Sequence, residues 1–552
     1  MITSAAATLD LDANLLDYAL IFFYFVVVIG IGFIARRSVK SGLDFFLSGR
    51  SLPAWITGLA FISANLGAIE ILGMAANGAQ YGVSTVHFYW VGAVPAMVFL
   101  GIVMMPFYYG AKVRSVPEYL RLRFNKPTHF FNAFTFALGT ILIAGVNLYA
   151  LAIVISALLG WPLIFAILLA AGIVLVYITL GGLSSAIYNE VLQFFIVIAG
   201  LLPLTILGLN DVGGWSGLVA KGEKTALGPM ATNAWQGTGL DPTNPLGASW
   251  ISIVFGLGFV LSFGYWTTNF AEVQRALSAK DLLAARRTPL IGAYPKIFIP
   301  AVTIIPGIVA VITVKNFGSG GDLDYNNAIP WLMQQYLPNG VLGIAITGLL
   351  AAFMAGLAAN VTAFNTVVTY DLWQPYVQKD KSDAYYLRFG RIATVAGILI
   401  SISTAFIAAS YTNIMNYIQL LFSFFNAPLF ATFIIAMFWK RATAWSGFFG
   451  LIAGTVGAAT TYYLYLNDVI AFQSDLDEAF WGAIVAFLAD AVVMVIVSLV
   501  TQPKPVEELD GLVWGMAKVD ESDKGKPVWW KSPVLMGSVA LGIVLILNFL
   551  FI

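Results

Sequence analysis

Cysteine is absent from all 552 residues, which excludes disulfides, thiolate metal sites and cysteine nucleophiles. Histidine occurs twice, as His87 and His129, too far apart in sequence to suggest a metal site. Charge is scarce too: 10% of residues are charged against 59% hydrophobic, a composition that excludes a soluble globular chain. The 28 basic and 28 acidic residues cancel, so nothing in the charge balance supports a nucleic-acid partner. No glycine-rich phosphate loop, nucleophile elbow or zinc-ligand spacing is present, which leaves an intramembrane enzyme as a weak second class.

What the chain has is apolar runs long enough to cross about 30 Å of hydrocarbon at about 1.5 Å per helical residue. Fourteen are read, at 16–35, 53–78, 84–109, 129–157, 162–180, 189–209, 248–269, 289–314, 340–369, 389–410, 412–438, 444–466, 478–501 and 534–552. Threaded back and forth, they place 24 of the 28 lysines and arginines on one side. Lys221, Lys224 and Lys315 fall on the other side, and Lys296 lies inside a helix. The positive-inside rule makes the crowded side cytoplasmic and puts both termini outside a cell membrane. The first run follows an acidic start, Asp10, Asp12 and Asp17, and reads as a retained helix rather than a cleaved signal. The fold class is therefore an all-α polytopic bundle in a lipid bilayer, with no obligate protein partner evident.

With the first helix set aside, the next ten divide into two sets of five, 53–209 and 248–438. Five is odd, so the second set enters the membrane in the opposite sense, the arithmetic of an inverted repeat whose first helices are often broken near the midplane. Residues 63–67, Ser-Ala-Asn-Leu-Gly, and Gly73 weaken the first of these helices. Gly256, Gly258 and Gly264, before Tyr265 and Trp266, weaken its counterpart. Such glycines either unwind a helix along a cavity or allow close packing; clusters in matching helices favour unwinding. The expected layout is an extra helix and cytoplasmic loop at 1–45, a first repeat at 46–210 and an extracellular loop at 211–247. A second repeat follows at 248–440, then three peripheral helices with a cytoplasmic loop at 441–552. Residues 327–336 read as a short amphipathic helix on the outer face.

Ionisable groups in hydrocarbon are costly and mark candidate sites. Glu70, on the first weakened helix, and Lys296, just after Pro295, lie deep in the bundle. They are either functional or an ion pair joining two helices. Glu190 and Asp371 stand at helix ends as functional groups or interfacial caps, and Asp490 reads as structural. Ser262, Tyr265, Trp266, Asn416, Gln419 and Asn426 add hydroxyls, amides and rings, a set that suits a ligand rich in hydroxyl groups.

Three stretches carry a family resemblance: residues 181–186, GGLSSA, leading through 189–193, NEVLQ; residues 274–280, QRALSAK; and residues 438–443, FWKRAT. With Leu47 to Pro53, LSGRSLP, they resemble the sodium:solute symporters, specifically the sodium/glucose cotransporter branch, over residues 43–465. The resemblance implies a leucine-transporter-like fold and alternating access, with solute uptake driven by sodium. Asn65, Tyr265, Lys296 and Gln419 stand where that branch has the same residues contacting sugar, Tyr265 being the ring that closes the inner gate. Glu70 replaces a glutamine, Tyr89 a glutamate, Gly92 a serine and Ser262 an asparagine. For sodium, the resemblance implies carbonyl ligands at Ser63, Leu66 and Ala352, and a hydroxyl pair that here becomes Ala355 and Gly356. Ser63 and Glu190 are the compensating groups, and restoring hydroxyls at 355 and 356 is expected to raise sodium affinity. The function expected is sodium-coupled import of a small polar solute, a monosaccharide. The alternatives are a proton-coupled or uncoupled sugar carrier and a solute sensor.

Overall fold

The computed structural model describes residues 11–36, 48–110, 115–315, 317–318, 323–514, 516 and 528–552. Arg37, Lys40, Leu47, Lys112, Arg114, Lys518, Lys524 and Lys526 lie outside the described residues, as do the side chains of 177–185.

Lipid offers backbone groups no partner, so apolar runs of this length fold into helices that satisfy themselves. The first is α1, Leu15–Arg36. Helices α2, Ala54–Asn65, and α3, Ile69–Val86, meet at a 60° bend, and α4 covers Phe88–Tyr109. A short helix α5, Val116–Arg123, leads to α6, Lys126–Leu159, and α7, Leu163–Asp211. Helices α8, Ser252–Thr268, and α9, Phe270–Leu277, form a second bent pair at 49°. Then come α10, Leu282–Thr313, α11, Ala328–Tyr336, and α12, Val341–Tyr376. The last are α13, Asp383–Ala408, α14, Ile414–Phe438, α15, Ser446–Leu466, α16, Asp475–Val500, and α17, Pro533–Leu550. Short polar side chains start several of them: Asn125, Asp281, Asn413 and Ser474 accept the amides of Thr128, Ala284, Met415 and Asp477, which otherwise lack helical partners.

Among the described residues, ten helices are long and apolar enough to cross a membrane, and the two bent pairs bring the number to twelve. Of the fourteen runs expected, 162–180 yields only a shorter apolar segment, Leu163–Val176. The run at 444–466 forms α15, whose glycines, threonines and tyrosines dilute its apolar character. The runs 162–180 and 189–209 correspond to the apolar pieces Leu163–Val176 and Ala186–Asp211, both within the helical stretch of α7. Both ends of α7 lie at one end of the bundle. Tyr18 donates to the Leu158 carbonyl (3.2 Å), the Gly340 amide donates to Asp17 (2.7 Å) and Tyr336 donates to Asp211 (2.7 Å).

Helix α12 is the most enclosed of the candidate spans, with 89% of its apolar stretch buried, against 28% for α16 and 22% for α17. The starts of α2 and α10 are tied together through backbone amides, that of Lys280 donating to the Leu52 carbonyl at 2.9 Å and that of Leu52 to the Ser278 carbonyl at 3.2 Å. Nearby, buried Arg123 donates to the carbonyls of Ala436, Trp439 and Ala442, each at 2.9 Å. These groups lie at and beyond the C-terminus of α14, where a cation is favoured.

Candidate functional site

The first break falls where the small polar run predicts. Helix α2 ends at Asn65; Leu66 leaves the helical region at φ −72°, ψ 45°, and Gly67 follows. A Cβ on Gly67 would run into Asn147 Oδ1 and stand 3.3 Å from the Gly356 backbone, so close approach of α2, α6 and α12 requires glycine there. Asn147 Oδ1 accepts the Ala68 amide at 3.0 Å, capping the broken end.

The second break is a correction. It lies at Asn269, φ −70°, ψ 111°, after Trp266 rather than at the glycines. Gly256 and Gly264 serve packing instead: a Cβ on Gly256 would stand 2.6 Å from the Phe480 carbonyl, and one on Gly264 3.0 Å from that of Asn426. Helix α8 stays wound, but as a wide π-helix over Ser252–Ser262.

The bends bring polar side chains from seven helices together. Lys296 of α10 places Nζ 2.7 Å from Glu70 Oε2 and donates to Asn65 Oδ1. Its ammonium also lies 5.0 Å from the ring centres of Tyr89 and of Trp266, where aromatic faces attract a cation. Asn65 Nδ2 donates to Tyr265 Oη at 3.0 Å, and Tyr265 Oη donates to Glu272 Oε1 at 2.8 Å. Tyr89 Oη meets Thr303 Oγ1 at 3.3 Å. Gln419 Nε2 contacts the Met415 sulfur at 3.3 Å. Gly92 and Ser262 are complementary, since a Cβ on Gly92 would stand 2.9 Å from that of Ser262.

Asn65, Glu70, Tyr89, Ser262, Tyr265, Trp266, Lys296 and Gln419 all line one cavity of about 60 Å³, room for a few waters at about 10–15 Å³ each. Both charges in it are buried, and they balance. Asn416 is drawn away to Tyr81 and to Asp475 (3.2 Å), and Asn426 does not line the cavity. Glu272 is the residue that sequence reasoning misses. It lies past the run at 248–269, outside every apolar run, and the bend at Asn269 directs α9 so that it is buried.

The other singled-out acids are engaged. Glu190 meets Arg275 with both oxygens, Oε2 accepting from Nε at 3.2 Å and Oε1 from Nη2. Asp371 accepts from His129 Nε2 at 2.8 Å, and Asp490 from Thr432 at 2.8 Å.

At the positions expected for sodium, Ser63, Leu66, Ala352, Ala355 and Gly356 are all buried. Gly356 faces Asn147 so closely that a Cβ there would fall on Oδ1 and 3.2 Å from Gly67 Cα. The expectation for restored hydroxyls changes accordingly. Gly356→Ser must displace Asn147, and overpacking of this kind costs about 1–3 kcal/mol. The expected result is a lower midpoint of thermal unfolding in detergent and no gain in sodium affinity. A variant as stable as the parent would show that Asn147 yields freely.

The family model described as the sodium:solute symporter family matches residues 45–454. The chain is 28% identical to the sodium/glucose cotransporter of Vibrio parahaemolyticus, over 86% of this chain and 90% of that one. It is 29% identical to sodium/glucose cotransporter 1 of Ovis aries, over 92% and 82%. A solved Na⁺-coupled sialic acid symporter, in a substrate-bound outward-open state, superposes with a TM-score of 0.74 at 18% identity, covering 89% of this chain and 99% of that one.

Proposed function

Because the chain belongs to the sodium:solute symporter family, we propose that it imports a small polyhydroxylated solute, a monosaccharide, across the cell membrane by alternating access. Sodium is the coupling ion of this family. Fourteen spans are built on inverted repeats at 46–210 and 248–440, with both termini outside. The observation that carries this reading is the cavity itself. It lies between two bent helices, the first of each five-helix set, and gathers a carboxylate, an ammonium, amides, hydroxyls and rings. Rings stack on the apolar face of a sugar, and the polar groups exchange hydrogen bonds with its hydroxyls. Solute binding falls to Asn65, Glu70, Tyr89, Ser262, Tyr265, Trp266, Lys296 and Gln419.

Uptake of labelled monosaccharides into proteoliposomes, under a sodium gradient, a proton gradient or neither, tests the reading. Accumulation above the external concentration with sodium alone is expected. Accumulation with protons alone, or equilibration only, would replace sodium symport with proton coupling or facilitated passage. Failure of every sugar would remove the solute assignment and leave the coupling to be tested with other polar solutes.

Tyr265 closes the cavity on one side, its hydroxyl shared between Asn65 and Glu272 and its ring centre 4.9 Å from that of Phe422. Tyr265→Ala is expected to leave equilibrium solute binding measurable while driven accumulation falls by about tenfold or more, since closure of a site governs turnover. A proportionate loss of both would make Tyr265 a contact and no gate.

A further inference from the structure

We propose that Asn147 Oδ1 and Ser63 Oγ, together with the Leu66 carbonyl, hold the coupling sodium at the break between α2 and α3, in place of side-chain oxygens on α12. The assignment rests on the family's sodium coupling and is independent of which solute is carried.

Three observations converge on the break. The C-terminal end of α2 presents its carbonyl dipoles there, inside the membrane, where they favour a cation. Leu66, no longer helical, turns its carbonyl out of the ladder. Ser63, one turn before Gly67, is 1% exposed, yet its hydroxyl oxygen has no hydrogen-bond partner among the described residues. A buried hydroxyl left unpaired calls for an occupant such as an ion or a water.

Asn147 supplies the oxygen on the facing side. Its Nδ2 donates to the Ile143 carbonyl at 3.2 Å and its Oδ1 accepts from Ala68 at 3.0 Å, which fixes the amide orientation with oxygen toward the break. That oxygen sits where side chains on Gly67 or Gly356 would be, so the two glycines make the space that it fills. An amide oxygen has two lone pairs, and Ala68 takes one. A hard cation prefers oxygen ligands, and the missing hydroxyls of Ala355 and Gly356 are thereby offset from α6 instead of α12. Glu190 is not required, since Arg275 takes both of its oxygens.

The test is sodium binding to the purified protein without solute, read by ²²Na⁺ retention and by intrinsic tryptophan fluorescence, for the parent, Asn147→Ala, Asn147→Asp and Ser63→Ala. Half-saturation is expected to rise by about tenfold or more in Asn147→Ala, the scale on which metal sites lose affinity when a supporting group is removed. Ser63→Ala should shift it the same way by less. Asn147→Asp keeps an acceptor for Ala68 and adds charge, so half-saturation should fall. Should Asn147→Ala fail to fold, the other two variants still decide. Sodium binding unmoved in both Asn147→Asp and Ser63→Ala overturns the site and leaves Asn147 as a cap only. A parent that binds no sodium overturns the family-based coupling and the site with it.

Discussion

Lys296→Ala is expected to abolish solute binding and to lower stability as well. The ammonium is buried against Glu70 at 2.7 Å, bonded to Asn65 and flanked by two rings. Its removal strands the buried carboxylate of Glu70 without its cation. Breaking a buried pair from one side costs about 3–5 kcal/mol, whereas replacing both partners with neutral groups is often tolerated. The double variant Glu70→Gln/Lys296→Met should therefore recover most of the thermal unfolding midpoint. It should not recover solute binding, because the cavity then holds neither charge. Calorimetric titration with the transported solute reads one quantity and thermal unfolding the other. Solute affinity within about threefold of the parent in Lys296→Ala, a change of under 1 kcal/mol, would reduce the pair to a structural tie between α3 and α10.

The second large effect is expected at Arg275. Its guanidinium meets both oxygens of Glu190 and also donates to the Ala271 carbonyl at 2.7 Å, all out of contact with solvent. This bidentate pair fastens α9 to α7. Arg275→Ala should cost about 3–5 kcal/mol, with Glu190→Gln/Arg275→Met much nearer the parent. Glu190→Gln should lower stability while leaving the sodium half-saturation where it was. A shift in that value would return Glu190 to the list of sodium ligands.

The first bend was legible in the sequence because polar and small residues cluster at Ser63 to Gly67, and nothing else in α2 competes with that signal. The second was misplaced because glycine has two meanings in a membrane helix, and packing against Phe480 and Asn426 used up Gly256 and Gly264. The gathering of Asn65, Tyr265, Lys296 and Gln419 around one cavity came from resemblance to a family, not from spacing. Two residues stayed hidden for physical reasons. Glu272 lies past the end of an apolar run and is buried only by a backbone turn, and Asn147 is one of two asparagines in a long apolar helix, with a role that depends on two glycines far away in sequence.

The carboxylate of Asp17 accepts the amides of Gly340 and Gly343, each at 2.7 Å, and the side-chain amide of Asn339 at 2.9 Å. Asp17 belongs to α1, which the repeat arithmetic sets aside, and the amides belong to the start of α12, the most enclosed helix. A clamp of three hydrogen bonds at a positive helix end makes α1 a rigid outrigger of the scaffold. Paired spin labels on the clamped ends of α1 and α12 should therefore hold one separation through the transport cycle, and supply a fixed ruler against which any movement of α2 and α8 is measured.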